Sequence, residues 1–559
     1  MKEIYLDIME KALSAYTSER IRDYIDEVKR DGLREHGFPR LGVITGILIS
    51  YGRCRHLKDV FIEIMDICFD EMPRRKAQND FSVREACCLL MLLKGKSIVS
   101  EEQIQKWTSR MAQFDPWQMY NVIAPSPDTP NVSNWAMFAG ISDFVRGELC
   151  GIDTSEFVDW QISSQLLNFD ENGMYQDDAP LKNPMVYDIV PRLLLDFLLA
   201  FGYKGKFKTQ IEEILDKSAQ LTLLMQSSTG EMSFGGRSNQ FIHNETMLIS
   251  FYELEALRFA RKGDTARAGE FKAAAQLSAQ RVLEDLSAEP ITHVKNRYPT
   301  ETFYGCEPYA YFNKYMITVA SNLYMGAMFA DDSIVPTVAP ALVGGYVATT
   351  SEHFHKVFLS ACGYTAQIET NADTHYDGNG IGRIHKAGCP TALCLSVPFP
   401  AKNPNYKVEK ENNSEMSLCC YAQSGEKLLV GAKAGTKYTL KSKDSNENMA
   451  SATFEVLLSK DVAVEQKISL CENGVDVYLE GDGNIGFMVP VFDFDGKNHT
   501  EITQTKNSIQ VKYKNCYCSF GFEGDTFSEH EIYYNRNGRY RVYRIAARHL
   551  HIVIGGVLI

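Results

Sequence analysis

No run of about 18 consecutive apolar residues occurs in this 559-residue chain, so nothing in it reads as a membrane-crossing helix. No CxxC pair exists either, which excludes a zinc ribbon or a thioredoxin-type motif despite the 14 cysteines. A GxxxxGK[ST] phosphate loop is absent, and Gly378-Asn379-Gly380 is followed by Gly382, which breaks the GxGxxG spacing. Cations are in deficit: 58 Lys and Arg stand against 71 Asp and Glu, for a net charge of −13. With no basic surplus to displace counterions, a nucleic-acid partner is not expected. A local basic pocket for an anionic substrate is still compatible with that balance. Nineteen Pro and 39 Gly are too few for a collagen-like or low-complexity chain.

What is present is the composition of a folded globular protein, 45% apolar and 11% aromatic, long enough for two or three domains. The cysteines are scattered, mostly within apolar runs where they behave as small hydrophobes. Cys516 and Cys518 form a CxC that a strand would point to one face. The opening MKEIYLDIMEKALSAY is an amphipathic helix broken by acids rather than a basic leader with an apolar core. The expectation is a soluble cytoplasmic protein with reduced thiols and no membrane partner, secretion following only if a leader has been removed.

The hydrophobic period divides the chain near residue 340. Before it, helical spacing predicts helices at roughly 3–30, 41–72, 81–95, 101–112, 131–148, 153–167, 184–202, 207–226, 240–262, 264–287 and 309–330. Many helices joined by short connections suggest pairs wound into a barrel. From Gly344 the period becomes two: TAQIET, TALCLSV, KLLVGA, TFEVLLS, VDVYLEG and SIQVKYK read as strands, punctuated by turns at 480–483 and 535–538. Helices followed by strands, without alternation, give an α+β multidomain chain: an all-α (α/α) toroid over 1–340, then an antiparallel β-sandwich over 341–559.

Polar chemistry concentrates around the junction. In GGRSNQFIHNET (235–246), Arg237, Asn239 and His243 stand at the start of a helix. That pattern suits either a cap with a hydrogen-bonded core histidine or a carboxylate site at the positive helix end. In KNRYPTETFYGCEPYAYFNKYMITVASNLY (295–324), Glu307, Tyr311, Tyr315, Thr318 and Asn322 form a polar-aromatic stripe, fit for a surface or for the wall of a sugar-binding cavity. Arg297 and Glu301 add a cation and a carboxyl beside it. A third stretch holds His353 and His355, expected to alternate onto one strand face, and then Asp373, His375, Tyr376, Asp377, Arg383 and His385 in a Gly-rich loop. His353, His355 and Asp373 are candidate metal ligands, so a structural zinc or calcium is compatible with the sequence although no cofactor is required.

The helical first half and stranded second half resemble the (α/α)-toroid carbohydrate enzymes: heparinase II/III-like and alginate-type polysaccharide lyases, and exo-acting uronic-acid glycosidases such as glycoside hydrolase family 154. QLLNFDENGMYQDD (165–178) and NPMVYDIVPRLLLDFLL (183–199) look like the helix openings on toroid inner rims. In such lyases an Asn or His neutralises the uronate carboxylate and a Tyr or His removes the C5 proton. The resemblance implies those roles for Asn239, His243, Tyr311 and His375.

Two chemistries compete. A glycosidase needs two carboxyls about 5–10 Å apart, one kept protonated, for which Glu245, Glu301, Glu307, Asp373 and Asp377 are candidates. A lyase needs a base at C5 and a stabiliser of the developing carboxylate charge, for which His, Tyr, Asn and Arg suffice. The reading favours an exo-glycosidase releasing a terminal uronic acid of glucuronic type from an acidic oligosaccharide. An exolytic lyase is the alternative, and a non-catalytic carbohydrate-binding protein the second. Arg237, Arg297 or Arg383 would hold the uronate in a bidentate pair, with Asn239, Tyr315, Tyr376 and His385 completing the substrate site. A homodimer is compatible with the exposed strand edges of a large sandwich.

Overall fold

The computed structural model describes residues 2–128, 133–177, 184–238, 240–372, 376–393 and 416–556. Its N-terminal part is a closed double ring of helices. The inner ring consists of α3 (Gly37–Ser50), α5 (Asn79–Leu93), α8 (Asn134–Cys150), α10 (Met185–Ala200), α12 (Ile242–Arg261) and α15 (Thr318–Ala327). Each packs on the next, and α15 returns to α3. Around them lie α1 (Glu3–Ser14), α4 (Lys58–Glu71), α6 (Glu101–Ala112), α9 (Ser155–Gln165), α11 (Lys208–Met225) and α13 (Thr265–Asp285). Outer and inner helices alternate along the chain, which makes the ring an (α/α) toroid of six hairpins. The α2 helix (Ser18–Asp31) and the short α7 (Pro116–Met119), α14 (Phe312–Tyr315) and α16 (Pro340–Val343) fill connections.

Position in the ring is written in the residues. Inner helices are buried nearly all round: in α3 every residue from Gly37 to Ile49 is buried, and in α12 fifteen consecutive residues from Ile242 to Ala256 are. Outer helices keep one apolar stripe, as in α6, where only Ile104, Trp107 and Met111 are buried. Gly42 and Gly46 in α3 leave room for Met65, Ile64 and Phe61 of α4, which a Cβ would meet at 2.6 Å or less. No helix among the described residues is long and apolar enough to cross a membrane.

Three of the expected long helices are broken. The 3–30 segment divides where Thr17 turns extended and accepts the Arg20 N–H at 3.2 Å as an N-cap. The 41–72 segment divides at Gly52 and at Cys54, both with positive φ. The 309–330 segment divides between α14 and α15.

Among the described residues, three antiparallel sheets follow. The first is a meander of β1 (Gly344–Thr349), β2 (Lys356–Ala361), β3 (Tyr364–Glu369) and β4 (Gly380–Lys386). Strands β2 and β3 are buried at every position, because Phe358 faces the toroid core while Val357 and Leu359 face the sandwich core. The eight-stranded sheet runs β12 (Glu501–Gln504), β13 (Ser508–Tyr513), β14 (Cys516–Phe522), β17 (His549–Gly556), β10 (Gly474–Glu480), β9 (Val462–Cys471), β8 (Met449–Ser459), β7 (Lys437–Asn446). The five-stranded sheet runs β15 (Asp525–Asn535), β16 (Gly538–Ala546), β11 (Asn484–Phe494), β5 (Cys419–Ser424), β6 (Lys427–Val430). The inner faces of these sheets share one apolar core, and Cys516 and Cys518 both point into it.

Two strand expectations are corrected. Residues 352–354 form a turn and His355 has φ +48, so His353 and His355 do not alternate on a strand; β2 begins only at Lys356. His353 is exposed, whereas His355 is buried against Glu369 at 3.1 Å. Of TALCLSV, Thr391–Leu393 lie in a turn and the rest falls outside the described residues.

Candidate active site

The N-terminal ends of the inner helices converge at one mouth of the toroid, and several carry an aromatic or imidazole side chain in or just before the first turn. His36, just before α3, meets Phe81 of α5 at 4.9 Å between ring centroids and Tyr315 at 5.9 Å. Phe81 in turn meets Trp135, the second residue of α8, edge-on at 4.7 Å. His243, the second residue of α12, stacks on Phe241 at 5.0 Å and on Tyr315 at 5.7 Å. Tyr309 lies 6.0 Å from Tyr315. Together these rings form one contiguous aromatic cluster at the toroid mouth, hereafter the bowl. Converging helix N-termini add partial positive charge around it, an environment that favours an anion.

Arg237 and Ser238 form the rim beside Tyr187, the third residue of α10. The Arg237 guanidinium sits 4.4 Å over the Tyr187 ring and pairs with Asp177, whose other oxygen accepts from Asn134 Nδ2 at 3.0 Å. Ser238 Oγ lies between two phenols: it is 2.7 Å from Tyr187 Oη and in hydrogen-bond contact with Tyr309 Oη. The first β-sheet shapes this loop. Gln367 of β3 donates to the Phe234 carbonyl at 2.8 Å, Arg383 of β4 donates to the Met232 carbonyl at 2.8 Å, and Asp377 accepts the Gly236 N–H at 2.6 Å. Gly236 has φ +74, and a Cβ there would meet the Pro184 backbone at 2.7 Å, so the turn needs glycine.

Electrostatics assign complementary protonation states to the bowl. Burial, reinforced by Arg40 and Lys295, pushes the His243 imidazole down to about 3, leaving it neutral near pH 7. The Tyr309 ring is 37% exposed, but desolvation around its hydroxyl, with Glu307 adding to the shift, raises the phenol above its usual value, so it keeps its proton. Three nearby carboxylates are held by a cation: Glu307 by Lys295 at 2.7 Å, Glu85 by Arg40 at 3.0 Å and Asp177 by Arg237.

Of the residues singled out from sequence, the bowl and its rim bring together Arg237, His243 and Tyr315, with Glu307 buried behind them. Tyr311 is 60% exposed and meets Phe303 edge-on at 6.2 Å. Glu301 is exposed in a short 3₁₀ turn. Tyr376 packs beside Tyr298 and Tyr534. Glu245, Arg383 and His385 are buried in the contact between toroid and sandwich. There Glu245 pairs with Arg536 at 3.1 Å, Arg383 with Glu231 at 3.3 Å, and His385 Nδ1 lies 2.7 Å from Ser227 Oγ. Arg297 lines a separate cavity of about 790 Å³ between α13 and the sandwich, near Arg281, Asp495 and Lys514. Asn239, Asp373 and His375 lie outside the described residues.

Sequence reasoning missed His36, Arg40, Phe81, Trp135 and Tyr309, and held Tyr187 only as part of the 183–199 helix opening. The signal that could have found them is positional: an aromatic residue recurs within the first three positions of successive inner helices, as Phe81, Trp135 and Tyr187.

No protein-family model matches the sequence, and no curated protein does. Among solved structures, the chain is similar to a heparan sulfate lyase from Pedobacter heparinus (9% identity, 93% of this chain and 77% of that one, TM-score 0.45). It is similar to a baculovirus envelope protein that is a chondroitin lyase (9% identity, 93% and 77%, TM-score 0.44). A β-L-arabinofuranosidase of glycoside hydrolase family 127 from Geobacillus stearothermophilus is another such structure (8% identity, 100% and 98%, TM-score 0.41).

Proposed function

We propose that this chain is a carbohydrate-active enzyme that cleaves a uronate-containing oligosaccharide by β-elimination at the mouth of the toroid. The observation that carries the reading is that His243 and Tyr309 both pack on Tyr315, with the Tyr309 hydroxyl bonded to Ser238, the residue after Arg237. Aromatic rings suit the C–H faces of sugars. Arg237 and the helix ends suit the uronate carboxylate, whose negative charge grows as the C5 proton leaves. A bound uronate carboxylate beside His243 offsets the burial and cations that make it a weak base, so that it accepts that proton, the C5 electron pair forms the C4–C5 double bond, and the C4–O bond breaks. The departing oxygen takes its proton from Tyr309, whose hydroxyl is connected through Ser238 to Tyr187.

Hydrolysis by two carboxyls has less support, since Glu85, Asp177 and Glu307 are engaged by cations, and Asp80, raised to about 6 by burial, accepts the Asn121 and Val122 N–H groups. The test is to incubate the protein with heparan-, chondroitin- and alginate-type tetrasaccharides. Absorbance at about 235 nm follows the unsaturated uronate that a C5 base makes, and released sugar is quantified in parallel. A rise in absorbance with at least one substrate is expected. Sugar release without it would replace elimination with hydrolysis, and binding without turnover would leave a carbohydrate-binding protein.

A further inference from the structure

The sequence HLHIVIGG of β17 alternates, so His549 and His551 leave the same face of the eight-stranded sheet, the one turned away from the sandwich core. On the neighbouring strand, Asp476 is in register with His551 and Tyr478 with His549. The three polar side chains converge. His549 Nε2 lies 2.7 Å and His551 Nδ1 2.9 Å from the same oxygen, Asp476 Oδ1. The Tyr478 ring stacks on the His549 imidazole at 4.2 Å with an interplanar angle of 2°, which fixes its plane. Gly474 leaves space on the other side, since a Cβ there would meet His551 Cε1 at 3.2 Å.

We propose that Asp476, His549 and His551 form a surface site for a divalent transition metal, of the Zn²⁺ or Cu²⁺ class. Two imidazoles and one carboxylate are a common donor set for these ions. Among the described residues, this is the place where three such groups bring one ligand atom each to within 4.8 Å of one another. The hydrogen bonds to a single carboxylate oxygen occupy the position a cation would take, with metal–nitrogen distances of about 2.0–2.1 Å reached by small rotations of half-exposed side chains. Three protein ligands leave coordination positions open to solvent. The site lies on the outer face of the sandwich and uses none of the groups assigned to the bowl, so it stands or falls separately from the proposed reaction.

Tag-free full-length protein, stripped with EDTA and desalted, is titrated with Zn²⁺ by calorimetry and with Cu²⁺ by electron paramagnetic resonance. The wild type is expected to bind one equivalent more than the His549→Ala/His551→Ala variant, with superhyperfine splitting from two nitrogens that His549→Ala reduces to one. Asp476→Asn is expected to weaken Zn²⁺ binding by roughly 10-fold or more. Because all three positions lie on the solvent face, far-UV circular dichroism of the variants should match wild type. Equal stoichiometry and affinity in the double variant, or a copper spectrum without the two-nitrogen pattern, would overturn the assignment and leave a hydrogen-bonded surface cluster.

Discussion

Arg536, in the hairpin turn between β15 and β16, forms an ion pair with Glu245 in the first turns of α12, at 3.1 Å and with both side chains almost fully buried. The same guanidinium reaches Asp285 at the end of α13, at 2.6 Å. One sandwich residue therefore grips both helices of a toroid hairpin. Replacing it with Ala strands the buried Glu245 carboxylate in the seam, while Asp285 keeps Arg281, and Arg536→Ala should cost about 3–5 kcal/mol of stability. Urea denaturation monitored by circular dichroism checks this, and a change within about 0.5 kcal/mol, the range of an ordinary surface substitution, would deny the pair that role.

Tyr309→Phe removes only the hydroxyl that meets Ser238, while keeping the ring against Tyr315. Turnover of an acidic oligosaccharide should fall by roughly 10²–10⁴-fold with KM little altered, the signature of a lost proton donor. Initial rates across a substrate series measure the split.

Arg237→Lys keeps the charge but not the planar fork. It should raise KM for a uronate substrate by about 10-fold, and leave kcat within a few-fold if the guanidinium serves carboxylate recognition. A matched neutral sugar, tested for binding to both proteins, should show no such difference.

Acid should weaken the fold below about pH 6.5, with a sign set by buried neutral histidines. Burial holds His293 down to about 3, with Lys295 adding to the effect. Its Nδ1 accepts the Lys295 N–H at 3.0 Å, a bond that protonation there would destroy. Between roughly pH 6.5 and 3 the unfolded chain binds a proton that the folded one refuses, so stability is fully present above that window and declines as pH falls through it. His293→Asn retains an acceptor and removes the titration. The slope of unfolding free energy between pH 6 and 4 should then lessen by about 1.4 kcal/mol per pH unit.

The switch from helical to alternating period was legible because inner and outer helices bury stripes of different width and the outer strands bury one face. Helix breaks were harder to read: Thr17 follows the buried Tyr16 with the apolar spacing uninterrupted, and its capping role depends on a backbone turn that composition does not announce. His353 and His355 looked like strand neighbours because alternation is two-fold in turns as well as strands at so short a range. Within the site, Arg237, His243 and Tyr315 stood out because they lie in dense polar stretches. Trp135 and Phe81 did not, since each is a lone aromatic after one or two polar residues at a helix start, and Tyr187 was visible only within the 183–199 helix opening. Only the closing of the ring gives them a common address.

That closing joins the two ends of the first 330 residues. Tyr16 accepts the Ile317 N–H and donates to the Asn313 carbonyl, both at 2.9 Å, and Arg40 donates to Thr318 at 2.9 Å. A chain emerging from the ribosome must therefore carry its earliest helices with an uncovered apolar flank until the sixth hairpin arrives. Nascent fragments that stop before α15 are the natural clients of a chaperone, and no shortened version of this protein can be expected to assemble half a bowl.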